Sequence, residues 1–112
     1  MSLWSAFTNL FSKETVSEET YASEAGEAQI ALSVELAPNA MWRKLARRWR
    51  KALQRYPNSS RILNNLGVAY EQRGLFRAAG ESYRKALELA PDDAYIRRNY
   101  ELFWKAAQER SR

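Results

Sequence analysis

The side chains best equipped for chemistry in this 112-residue chain lie between Met41 and Tyr56. Arg43, Lys44, Arg47, Arg48, Arg50, Lys51 and Arg55 fall there with no acidic residue among them, and Trp42, Leu45, Trp49, Ala52, Leu53 and Tyr56 recur between them at helical spacing. A basic amphipathic helix of this kind has the chemistry to meet an acidic protein, a phosphate backbone or an anionic membrane. The plainer reading is that its apolar stripe packs while its charge is solvated or paired within the chain. Like charges at this density repel, so an acidic complement is expected. No motif of RNA or DNA recognition accompanies the charge, and nucleic acid and membrane are the disfavoured targets.

Catalysis has far less to work with. The chain has no cysteine and no histidine, which removes disulfides, thiolate ligands, a cysteine nucleophile, the commonest general base and the commonest metal ligand. Carboxylates, Lys, Tyr, Ser and Thr remain, with no convergent acid, base or phosphate loop. An enzyme is not expected, nor a metal site or a cofactor. Net charge is +5 but is divided by region. Residues 1–30 hold Lys13 against Glu14, Glu18, Glu19, Glu24 and Glu27, or −4, whereas the remainder carries +9. Such a division suggests that the two parts associate, or that the basic part meets an acidic partner. No apolar run approaches the roughly 20 residues of a membrane span, and the first residues lack the pattern of a signal peptide. A cytoplasmic protein is expected.

These side chains must be positioned by helices. Leu3, Trp4, Phe7, Leu10 and Phe11 form a short amphipathic arm, and residues 14–24 read as an acidic linker. Residues 26–59 give two weaker helical patterns interrupted at Pro38-Asn39. Three clean helices follow. Ser59 or Ser60 caps the first, which runs to about Arg73 before Gly74. The second runs from Phe76 to about Ala90, where Pro91 stops it. Asp92 or Asp93 caps the third, Ala94 to about Arg110, with Ile96, Tyr100, Phe103, Trp104 and Ala107 apolar. Short connections make neighbouring helices antiparallel.

Pro57 and Pro91 stand 34 residues apart, preceded by Trp49-Arg50-Lys51-Ala52-Leu53 and Tyr83-Arg84-Lys85-Ala86-Leu87. That period marks stacked helix-turn-helix units. Within 60–93, Leu63, Leu66-Gly67, Tyr70, Gly74, Phe76, Ala79, Tyr83, Ala86 and Pro91 resemble a tetratricopeptide repeat, with Leu63 where the family usually has Trp. Gly80 replaces the usual larger apolar residue and is expected to weaken packing. Residues 26–59 resemble a degenerate repeat, and 94–110 a polar-faced capping helix. The resemblance implies an all-α, superhelical TPR-like domain over 25–112, preceded by the arm and linker at 1–24.

It also implies a concave groove lined by the first helix of each repeat. The matching positions are Arg61, Asn64, Asn65, Val68, Glu71 and Gln72, then Tyr95, Arg98, Asn99, Leu102 and Lys105. Asn99 repeats Asn65 one period on, and an amide there can bond a peptide backbone as donor and acceptor. Arg61, Arg98 and Lys105 favour an acidic ligand. The family's two-carboxylate clamp needs cations where this chain has Tyr95 and Asn99, so that specificity is absent. The expected function is capture of a peptide or helix from another protein in this groove. Alternatives are a subunit that self-assembles through its N-terminal arm, and an electrostatic binder acting through the 41–56 helix.

Overall fold

A computed structural model of the chain describes residues 16–32 and 38–111. Among them five helices follow in order: α1 (Glu18–Leu32), α2 (Pro38–Arg55), α3 (Ser60–Gln72), α4 (Phe76–Leu89) and α5 (Ala94–Arg110). This is the all-α helical-repeat architecture that the 34-residue period implies. The amphipathic arm, Leu3 to Phe11, lies outside the described residues.

Helix boundaries follow local chemistry. The Ser17 hydroxyl accepts from the Thr20 amide at 3.2 Å, opening α1. Pro38 opens α2, where its missing N–H costs no helical bond. Ser59 caps α3 by accepting from the Ile62 amide, and Asp93 caps α5 by accepting from Tyr95 and Ile96. Between α3 and α4 the chain reverses at Gly74, whose φ of 75° is the left-handed conformation that a Cβ would penalise.

Packing is densest between α3 and α4, then between α2 and α3. Gly67 sits where α3 meets α4: a Cβ there would stand 2.8 Å from the Tyr83 ring, so only glycine permits this approach. Trp42, Leu45 and Trp49 of α2 are buried with Ile62, Leu66 and Ala69 of α3 and Ala79 and Tyr83 of α4. A smaller cluster of Leu63, Ala86 and Ile96 closes the α3–α4–α5 end.

Three expectations are corrected. The acidic linker is helical from Glu18 onward, and Glu24 and Ala25 are buried. The reason is a specific anchor rather than an apolar stripe, as the Glu24 contacts below show. Gly80 does not leave a weak point: an added Cβ would lie 3.0 Å from the Phe103 ring, so the missing side chain admits that ring. Helix α5 leaves part of its apolar stripe uncovered. Trp104, read as part of its packed face, is 51 % exposed, because no described helix lies against that side.

Candidate functional site

The predicted groove residues divide into a covered half and an open half. On α3, Asn64 and Asn65 have no exposed surface and Val68 is buried. Asn65 donates from Nδ2 to the Tyr21 carbonyl at 2.7 Å and to the Ala22 carbonyl at 3.2 Å, so α1 takes up the amide that was read as open to a peptide backbone. Asn64 accepts at Oδ1 from Asn99 Nδ2 at 3.1 Å, which joins α3 to α5 through the neighbour of Asn65, the period-related position. Two amide atoms here, Asn64 Nδ2 and Asn65 Oδ1, are buried with no hydrogen-bond partner among the described residues. Each such atom carries a desolvation cost of about 1–3 kcal/mol.

Helix α1 is held over α3 by polar contacts. Glu24, 4 % exposed, accepts from the Trp49 indole at 2.9 Å and from Arg48 Nε at 2.8 Å, with the Arg48 terminal nitrogen 2.7 Å away. The Arg48 guanidinium also lies 4.8 Å from the Tyr21 ring centroid. The Tyr56 hydroxyl donates to the Val16 carbonyl at 3.1 Å. Arg48 therefore leaves the predicted basic surface. Its acidic complement comes from the same chain, 24 residues upstream. Arg43, Lys44, Arg47, Arg50, Lys51 and Arg55 remain exposed along α2. Arg50 reaches the Tyr70 hydroxyl at 3.4 Å, and Arg55 lies over the Tyr56 ring.

The open half belongs to α5 and the start of α3. Tyr95 is 44 % and Leu102 53 % exposed, and Arg98 and Lys105 are exposed beside them. Spacings of three and four residues put all four on one helical face. Arg61 pairs with Asp93, Nε to Oδ2 at 2.8 Å, and lies 4.8 Å from the Tyr95 ring centroid, which fixes that ring at the edge of the face. Desolvation is the largest single influence on the Asp93 carboxyl and raises it, but the hydrogen bond from Arg61, those from the Ile96 and Tyr95 amides and the Arg61 charge together outweigh it and hold the group below its ordinary value. Gln72 is exposed at the far end of α3, and Glu71 accepts from the Tyr83 hydroxyl at 2.8 Å.

The sequence motif and this helix pairing meet at residues 60–93, which match the family model for the tetratricopeptide repeat. This segment is a tetratricopeptide repeat. The match spans 34 of the 112 residues, α3 to the cap of α5, and includes Gly67, Ala79 and Tyr83 at the helix crossing. No curated protein matches the chain. The tetratricopeptide-repeat family generally mediates protein–protein interaction.

A second surface was not singled out in the sequence. Phe76 and Gly80 of α4 face Tyr100, Phe103, Trp104 and Ala107 of α5 across a cavity of about 360 Å³. Arg77, Arg84 and Arg110 stand at its rim. The signal that could have found it is Trp104, one residue too many for the apolar stripe that α3 and α4 bury. No described helix is long and apolar enough to cross a membrane, and no acidic cluster suited to a metal ion occurs among the described residues.

Proposed function

We propose that the chain is a protein-binding module, not a catalyst, that seats an acidic peptide or helix along the Tyr95–Leu102 face of α5. The observation that carries this reading is the exposure of Tyr95 and Leu102 on one face between Arg98 and Lys105. Apolar anchors flanked by cations suit a segment with one apolar stripe and acidic edges. Asn99 lies within the same face, and Arg61 extends it toward α3. Helix α1 narrows the site by covering Asn65 and Val68, so the ligand lies against α5 rather than along the whole concave side. A cytoplasmic setting belongs to the same reading.

Selection of binders from a displayed random-peptide library tests it. Peptides recovered on the wild-type chain are expected to be acidic and amphipathic. Their affinity should fall at least tenfold on Leu102→Asp and be unchanged on Lys85→Glu, an exposed position of α4. Equal binding to wild type and Leu102→Asp would place the site elsewhere.

A further inference from the structure

We propose that the seat of α1 on α2 and α3 is an exchange site: an acidic helix of a partner protein displaces α1 and takes its place. The seat lies apart from the Tyr95–Leu102 face and does not depend on it. Helix α1 is held there as a ligand is held. The main-chain carbonyls of Tyr21 and Ala22 accept from the Asn65 amide at 2.7 and 3.2 Å, contacts that carry no side-chain requirement. Selectivity comes from Glu24, which accepts from the Trp49 indole at 2.9 Å and pairs with Arg48 at 2.7 Å. Tyr21 adds a ring under the Arg48 guanidinium, 4.8 Å away, and edge-on to Tyr56. Ala25 and Ala28 are buried, and a bulkier residue at either position would meet the core.

The seat is better equipped than its occupant. Asn65 Oδ1, on the same amide that holds the two carbonyls, is buried with no hydrogen-bond partner among the described residues. A helix that brings a donor to this oxygen removes a desolvation cost that α1 leaves in place. The large core side chains also lie elsewhere. Trp42, Trp49, Ile62 and Tyr83 belong to α2, α3 and α4, whereas α1 adds Ala25, Ala28 and a partly buried Tyr21 to the same cluster.

The chemistry of the partner follows from α1. Its helix needs an aromatic residue, a carboxylate three positions on, and small residues one and four positions after that. Charge agrees. Residues 16–32 carry Glu18, Glu19, Glu24 and Glu27 with no Lys or Arg, and the seat is on the helix that holds Arg43, Arg47, Arg48 and Lys51. Tethering sets how strongly α1 competes. Residues 33–37 join it to α2, and a short linker gives an effective concentration on the order of 1 mM. A free helix of identical sequence therefore meets an apparent Kd no better than about 1 mM on the wild-type chain, however tightly it binds the empty seat.

The test uses a fluorescent peptide of residues 16–32 and the full-length chain. On Glu24→Ala, whose own α1 has lost its anchor, the peptide should bind at least tenfold more tightly than on wild type. The same peptide carrying Glu24→Ala should bind neither chain. Leu102→Asp, added to the Glu24→Ala chain, should leave the affinity unchanged, which separates this site from the α5 face. A second measurement needs no destabilised chain. The peptide carrying Gly26→Ala favours the helix and should bind about fivefold more tightly than the native peptide, because the added methyl meets nothing within 4 Å. At about 1 mM it should drive the Tyr21–Ala28 amide signals of isotope-labelled wild-type chain toward random-coil positions, while those of 76–89 stay in place. Equal affinity for the native and Glu24→Ala peptides, binding lost on Leu102→Asp, no binding to a Glu24→Ala chain whose circular dichroism shows it folded, or wild-type α1 signals that do not move would each overturn the proposal.

Discussion

Tyr83 shows how one buried hydroxyl couples this repeat to pH. It is 2 % exposed, and its hydroxyl donates to Glu71 at 2.8 Å. Burial, then the Glu71 charge and hydrogen bond, push its ionisation far above the ordinary tyrosine value. The folded chain thus keeps a proton that the unfolded chain releases above about pH 10. The stability contributed this way is complete below that pH and is lost as the pH rises further. Melting temperature followed from about pH 9 to pH 11.5 should fall, and Tyr83→Phe should flatten part of that fall. An identical slope in the variant would show that other groups carry the alkaline response.

Between elements, the crossing of α3 and α4 is set by what is missing from Gly67. An alanine there would bring its Cβ to 2.8 Å from two atoms of the Tyr83 ring, which is enclosed and cannot swing away. Gly67→Ala should therefore cost about 1–3 kcal/mol in urea denaturation, despite alanine's better helix propensity. This part of the fold was legible because its signals are local: Gly67, Ala79, Tyr83 and Pro91 fall at fixed spacing, and the caps at Ser59 and Asp93 sit next to the turns they stabilise. Helix α1 was harder to read. Its burial depends on Glu24 finding Arg48 and Trp49, and on Asn65 finding carbonyls 43 and 44 residues away. A polar anchor of that range leaves no periodic trace. The candidate groove suffered from the same gap, since family spacing identified Asn65 and Val68 as facing the concave side but not that α1 covers them. Trp104 was misplaced for a different reason. Periodicity marks a side chain as apolar without showing whether a neighbour is there to cover it.

At the scale of the whole molecule, the helices are unequally held. Helices α3 and α4 share the most extensive contact, whereas α1 touches α2 only lightly and rests on α3 through small side chains and hydrogen bonds. Removing Glu24 leaves the largely buried Arg48 cation and the Trp49 indole N–H without their acceptor. Breaking a buried pair from one side costs about 3–5 kcal/mol. If α1 can detach alone, that loss stays local. In Glu24→Ala, amide hydrogen exchange of 18–32 should accelerate at least a hundredfold while 60–89 keeps most of its protection. Uniform acceleration would instead mean that α1 and the repeat unfold together.

The hydrogen bonds from Asn65 to Tyr21 and Ala22 also impose an order of events during synthesis. A ribosome adds about 5–20 residues per second. Tyr21 therefore precedes Asn65, 44 residues on, by about 2–9 s. Helix–coil relaxation takes about a microsecond or less. Throughout that wait the nascent α1 segment samples helix and coil without the Asn65 amide, although Arg48 and Trp49, which hold Glu24, are added earlier. The exposed Glu18, Glu19 and Thr20, with Ala25 and Ala28 as the buried apolar residues among those described in α1, suit a segment that must stay in water before its docking partner has been translated.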